Sequence, residues 1–246
     1  MERQTEIILD TPVDILTIED IKKDMDLYFK QGRQMTLTSV NPQIILMGET
    51  SPVVKKFIEA STHRFPDGIG LIKISKWTKG QIKHRVAGID VMVEALAYAD
   101  EHQKRIFLYG AKPEVVKAAA KNIQTNYPNL ILAGYIDGYT KLTDKAIVQE
   151  MNESQAEMIF VALGSPKQEI WLAEHMKQLS ATIFQTVGGS LDVLSGTVKR
   201  APNIFIKTNL EWLYRSVSNP KRFNRIFQVP EFVIKAMNWH RKNGRD

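Results

Sequence analysis

Four short segments hold residues whose types and spacing could do chemistry. Phe65-Pro66-Asp67-Gly68-Ile69-Gly70 sets a carboxylate in a turn. Its glycines let a ligand come close to the backbone, and Asp67 can accept a proton from a hydroxyl within hydrogen-bond reach. The same residues also read as a Pro-Asp-Gly turn that the aspartate merely shapes, and both readings stand. Thr38-Ser39-Val40-Asn41-Pro42-Gln43 closes an apolar run and starts a helix, so Ser39 and Asn41 are either ligand contacts or helix caps. In Gly164-Ser165-Pro166-Lys167-Gln168-Glu169, Ser165 and Gln168 have capping-box spacing and Pro166 suits a first helical position. A helix N-terminus there also suits a phosphate, with Gln168 either capping or facing it. In Val187-Gly188-Gly189-Ser190-Leu191-Asp192, Gly188 and Gly189 would let backbone N–H groups face a diphosphate, or form a tight turn capped by Ser190.

Other chemistry is excluded. There is no Walker A loop and no G-x-G-x-x-G after a strand. No cysteine is present, which removes disulfides, thiolate metal sites and Cys nucleophiles. The five histidines are scattered without metal-ligand spacing. Asp24-Met25-Asp26 has the Asp-x-Asp form of some metal-dependent transferases, but it lies inside an amphipathic helix and reads as a solvated face. No metal site and no cofactor are expected.

These segments need positioning, and the chain supplies alternating elements. Apolar runs predict strands at Glu6–Leu9, Met35–Val40, Arg105–Tyr109, Leu130–Ala133, Met158–Leu163 and Thr182–Val187. Amphipathic stretches predict helices at Ile18–Phe29, Pro52–Ala60, Asp90–His102, Pro113–Tyr127, Asp144–Ser154 and Pro166–Leu179, the first capped by Thr17 with Asp20 three residues on. Such alternation predicts an α/β fold, a Rossmann-like parallel sheet flanked by helices. In that architecture ligands sit beyond the carboxyl ends of the strands, where the segments after Met35–Val40, Met158–Leu163 and Thr182–Val187 fall.

Charge divides the chain. Residues 199–246 carry eleven Lys/Arg against three Asp/Glu, whereas 1–198 carry 22 against 24, so the basic excess lies in the last fifth. The expected organisation is a catalytic domain over 1–198 and a basic, aromatic-rich helical appendage over 199–246, too short to bury a core of its own. Its helices are expected at Ile204–Ser218, Pro220–Phe227 and Pro230–His240, punctuated by Pro220 and Pro230. Leu210-Glu211-Trp212-Leu213-Tyr214-Arg215, followed by Arg222 and Arg225, suits a membrane interface, a packing face or, less well, a nucleic acid. The N-terminus lacks a signal pattern, and no apolar run approaches the roughly 18 residues that span a bilayer. A cytoplasmic protein associated peripherally with the inner membrane face is expected, with homo-oligomerisation left open.

Taken in order, these motifs resemble the WecG/TagA/CpsF glycosyltransferase family. The matching stretches are Ser39-Val40-Asn41-Pro42, Pro66-Asp67-Gly68, Arg85-Val86-Ala87-Gly88-Ile89-Asp90, Gly164 to Glu169, Gly188 to Asp192, Lys199-Arg200-Ala201-Pro202 and Leu210 to Arg215. The resemblance implies metal-independent, inverting transfer of a sugar from UDP to undecaprenyl-diphosphate-N-acetylglucosamine. For TagA-like members the sugar is N-acetylmannosamine, in wall teichoic acid linkage synthesis. It also implies Asp67 as general base, with Ser39, Asn41, Arg85, Gln168, Gly188 and Gly189 around the donor. Arg215, Arg222 and Arg225 would fold over the site and stabilise charge on the leaving UDP. Gln43 stands where the family often has Glu, and Asp137-Gly138-Tyr139 where it often has His-Gly-Tyr; both bear on donor choice. The competing expectations are another UDP-sugar, such as the uronic acid form, in capsule or exopolysaccharide synthesis, and a nucleotide-sugar-binding scaffold without turnover. Nucleic acid is not expected as a partner.

Overall fold

The computed structural model describes residues 3–202, 204–205, 208, 211–217 and 225–243. Six strands form one parallel sheet: β3 (Met35–Val40), β4 (His63–Pro66), β5 (Arg105–Gly110), β6 (Ile131–Ile136), β7 (Met158–Ala162) and β8 (Ile183–Thr186), in the order β4-β3-β8-β7-β5-β6. The helices between them are α1 (Ile18–Gln31), α2 (Pro42–Thr50), α3 (Pro52–Ala60), α4 (Ile69–Trp77), α5 (Gly88–Glu101), α6 (Pro113–Asn126), α7 (Asp144–Glu153), α8 (Lys167–His175) and the short α9 (Ser190–Leu194). Thr17 and Asp20 form the expected capping box on α1.

Strand β7 is apolar throughout and β5 nearly so, because both faces are covered. Along β5, Ile106 and Leu108 join the core formed with α1, α5 and α6, while Phe107 and Tyr109 join the core on the other face with α7 and α8. Residues of β7 divide the same way, Met158 and Phe160 on one side and Ile159 and Val161 on the other. This two-residue period carries the fold.

Three expectations change. Glu6–Leu9 is not a strand of the parallel sheet. Thr5–Ile8 (β1) pairs antiparallel with Thr11–Asp14 (β2) across a turn in which Leu9 and Asp10 have φ of 50° and 55°. Asp24 and Asp26 are not simply solvated, since Asp24 pairs with Arg3 and His63 and Asp26 accepts from the Tyr98 hydroxyl. Pro230 does not separate two helices. It lies inside one continuous helix, Arg225–Asn243, which follows the helix Glu211–Val217. These are α11 and α10. Packing overrides the local break: Phe232 and Ala236 of α11 are buried against α2 and α4 in a third apolar cluster. Pro220 lies outside the described residues.

Candidate active site

The ends of β3, β4, β7 and β8 meet at a polar cavity of about 190 Å³, lined by Ser39, Asn41, Gln43, Asp67, Arg85, Gly88, Ser165, Gln168, Glu169, Gly188, Gly189 and Glu211 among others. Parallel register delivers these residues to one edge. Ser39 pairs with Phe65 and Val40 with Pro66, so Asp67 leaves β4 beside Asn41, and its N–H donates to the Val40 carbonyl at 2.7 Å. Gly68 then turns the chain at φ 120°, a conformation reserved for glycine, with the Pro42 ring 3.2 Å from where a Cβ would stand.

The Asp67 carboxylate accepts three hydrogen bonds. Arg85 Nε donates to Oδ1 at 2.9 Å, and Ser39 Oγ and the Gly88 N–H donate to Oδ2 at 3.1 and 3.0 Å. Asp67 therefore both shapes the turn and lines the cavity. Gln185, fully buried on β8, donates to the Gly88 carbonyl at 2.9 Å and fixes the start of α5 under that carboxylate.

Arg85 is shared. Its Nη2 donates to Glu211 Oε2 at 3.3 Å, and Glu211 is 2% exposed although it belongs to α10. Glu211 also pairs with Arg200 at 3.7 Å, and Arg200 with Asp90 at 2.6 Å. Asp67, Arg85, Glu211, Arg200 and Asp90 thus form a chain of alternating charge. Burial opposes the charge on Arg85, but Asp67 and Glu211 more than offset it and hold its pKa above the ordinary value.

On the opposite wall, the capping box read at Ser165 and Gln168 does not form. The helix starts at Lys167 with no side-chain cap, because the Ser165 hydroxyl is committed to Glu169 Oε1 at 2.9 Å. Gln168 Nε2 donates to the same oxygen at 2.7 Å, and Gln168 Oε1 accepts from the Gly188 N–H at 3.1 Å. That amide of the glycine turn is therefore occupied by protein. Ser190 does not cap α9 either, since it is the first residue of the helix. Asn41 does cap α2, its Oδ1 accepting from the Ile44 N–H at 3.1 Å, while still lining the cavity.

Sequence reasoning gave no role to Glu169, Gln185, Arg200 or Glu211. Glu169 is 1% exposed, and its Oε2 is buried without a hydrogen-bond partner among the described residues. Burial pushes its pKa up, against the pull of the Gln168 and Ser165 hydrogen bonds. The signal was masked, because an acid in the first turn of a helix is expected from the macrodipole alone. Arg215 falls within α10 and Arg225 opens α11, whereas Arg222 lies outside the described residues. Among the described residues no cluster of three or more His, Asp or Glu could hold a metal.

Among the described residues the cavity is lined by three carboxylates, Asp67, Glu169 and Glu211, and one guanidinium, Arg85. A carboxylate held by donors on three sides, in a polar crevice at strand ends, can take a proton from a bound hydroxyl. An anionic ligand there requires further positive charge or a neutral Glu169.

Residues 6–246 match the family described as "Glycosyl transferase WecG/TagA/CpsF family". A protein of Bacillus subtilis (strain 168) named "N-acetylglucosaminyldiphosphoundecaprenol N-acetyl-beta-D-mannosaminyltransferase" is 37% identical over 85% of this chain and 82% of its own length. A protein of the same name from Staphylococcus aureus (strain MW2) is 35% identical over 96% of this chain and 93% of its own. One from Bacillus spizizenii (strain ATCC 23059 / NRRL B-14472 / W23), again with that name, is 33% identical over 89% and 84%.

Proposed function

The chain belongs to the WecG/TagA/CpsF glycosyl transferase family, and from that premise we propose that it transfers N-acetylmannosamine from UDP to undecaprenyl-diphosphate-N-acetylglucosamine. The reaction inverts the anomeric centre and serves wall teichoic acid linkage or a related surface polymer. The observation that carries the mechanism is the three-donor clamp on Asp67 at the cavity wall. It fixes the carboxylate while leaving one lone pair, on Oδ1, for a hydroxyl of the acceptor sugar.

In this reading Asp67 takes that proton as the acceptor oxygen attacks the anomeric carbon, and the carbon–oxygen bond to UDP breaks. Ser39 and Arg85 orient the base. Asn41, Gln168 and the Gly188–Gly189 turn surround the donor. Arg215, Arg222 and Arg225 balance the negative charge that grows on the departing diphosphate, because guanidinium pairs bidentately with phosphate. The excess of carboxylate over guanidinium in the described cavity supports that need. Residues 199–246 act as a basic appendage to the 1–198 catalytic domain and hold the enzyme peripherally at the inner membrane face. Among the described residues no helix is long and apolar enough to cross a membrane.

The test is acceptor-dependent UDP release from UDP-N-acetylmannosamine with a lipid-diphosphate-N-acetylglucosamine analogue, for wild type and Asp67→Asn. The expected result is turnover by wild type and a loss of roughly a hundredfold or more in the variant. A variant that keeps turnover removes Asp67 as base. A wild type inactive with every UDP-sugar leaves a binding scaffold.

A further inference from the structure

Residues 68–89 contain Lys73, Lys76, Lys79, Lys83 and Arg85 and no acidic residue. Only Arg85 faces the cavity. The four lysines are exposed, and none pairs with a carboxylate among the described residues. The neighbouring acids are committed elsewhere. Glu6 accepts from Ser75 Oγ and from the Gln81 and Ile82 N–H groups, and Asp20 is held by Thr17.

Helix α4 is two-sided. Gly70, Leu71, Ile74 and Ser75 are buried, whereas Lys73, Lys76 and Trp77, at i, i+3 and i+4, share the outer face. Trp77 is 54% exposed, an unusual position for the largest apolar side chain. The basic end of α11 meets the same region, because Ile74, Thr78 and Gly80 line one shallow groove with Trp239 and His240, and Arg241 and Lys242 follow as exposed residues. Ile7, 48% exposed, lines that groove too. The result is a surface of unpaired ammonium groups around exposed apolar side chains, continuous with the C-terminal helix.

We infer that the outer face of α4 and the loop after it form a membrane-docking surface in their own right, which takes anionic phospholipid headgroups on Lys73, Lys76, Lys79 and Lys83 with the Trp77 indole at the headgroup boundary. Lysine suits this role because its long apolar stem can lie along the interface while the ammonium reaches phosphate. Tryptophan suits it because its ring prefers that depth. Asp67 and Arg85 bracket the segment, so docking here would bring the cavity to the surface on which a polyprenyl-linked acceptor lies. The inference extends the membrane part of the proposed function, but its test uses neither donor nor acceptor, so transfer can fail while docking stands, and the reverse.

The experiment is partitioning of the full chain onto phosphatidylcholine vesicles with and without phosphatidylglycerol. It compares wild type, a variant with all four lysines changed to Gln, Trp77→Ala and Trp77→Phe. Each lysine at the surface is worth about fivefold, so the four-lysine variant is expected to lose about six-hundredfold on anionic vesicles when all four reach the headgroups. Its melting temperature should be unchanged, because the replaced groups are exposed and unpaired. Trp77→Ala should bind more weakly as well, and Trp77→Phe should reduce the vesicle-induced blue shift of tryptophan emission to the share contributed by the other three tryptophans. A four-lysine variant that partitions within twofold of wild type would overturn the inference. So would equal binding to neutral vesicles, or lysine-dependent binding to an oligonucleotide without binding to vesicles.

Discussion

Replacing Glu169 by Gln should stabilise the protein at pH 8 and do little at acid pH. The carboxyl group is 1% exposed, and only one of its oxygens is hydrogen-bonded. Its pKa is raised by burial. A carboxyl group whose folded pKa lies above its unfolded value adds stability below the unfolded pKa, and that stability is lost as pH rises through the folded one. Above that range wild type keeps a buried, half-satisfied charge, for which a cost of about 2 kcal/mol is reasonable. Glutamine removes the charge, and its carbonyl can still accept from Ser165 and Gln168. At this chain length about 2 kcal/mol corresponds to a rise in Tm of about 4–8 °C. Glu169→Ala supplies the contrast, because it deletes the shared acceptor and frees the Gln168 amide to turn away from Gly188. Scanning calorimetry of the three proteins at pH 4 and pH 8, with UDP binding by titration calorimetry, reads both effects. The expected pattern is a Gln advantage at pH 8 that shrinks at pH 4, with UDP affinity kept by Gln and lowered about tenfold or more by Ala, in line with the loss of one or two ligand-orienting hydrogen bonds. A Gln variant less stable than wild type at pH 8, or a gap of equal size at both pH values, would refute the reasoning.

Two further substitutions probe the opposite wall. Glu211→Ala leaves Arg85 and Arg200 each with one carboxylate partner and opens a buried site, so a loss of about 2–4 kcal/mol is expected. Cleavage of the C-terminal segment in limited proteolysis should also be faster than in wild type. Gly68→Ala forces a side chain into φ 120° and against the Pro42 ring. It should cost about 1–3 kcal/mol in urea unfolding and lower kcat more than KM, because it displaces Asp67, the proposed base, rather than the wall proposed to hold the donor.

The sheet was legible where strands were fully buried. Met158–Ala162 is a continuous apolar run, and Met35–Val40 mixes apolar with β-favouring threonine residues, so no other element type competes for them. β4 was not legible, because His63-Arg64-Phe65-Pro66 is four residues long, polar at its start and closed by proline. β2 was lost for a similar reason: Thr11-Pro12-Val13-Asp14 carries a proline and follows a turn with no glycine in its two positive-φ positions. Helix α4 was hidden by its near-uniform apolar stretch before Lys73, which gives little helical period. For the site, the motifs located the strand ends, but they could not show which groups face one another. That Gln168 is spent on Gly188, and that Ser165 turns to Glu169 instead of capping, are facts of tertiary contact. Glu211 is the clearest instance. It lies 144 positions from Asp67 along the chain, and only folding puts both carboxylates on one guanidinium.

The alternating chain from Asp67 to Asp90 also constrains how such proteins can be recombined. A C-terminal segment borrowed from a relative brings its own residue to the place of Glu211. If that residue is not an acid, the guanidiniums of Arg85 and the half-buried Arg200 are each left with a single carboxylate partner beside Asp67. Chimeras that exchange the last fifth of the chain should therefore work when the acid travels with the segment, and fail at the level of catalysis, with a sound core, when it does not. The boundary suggested by composition near Lys199 is thus a poor place to cut and rejoin, because the unit that must be inherited together runs across it.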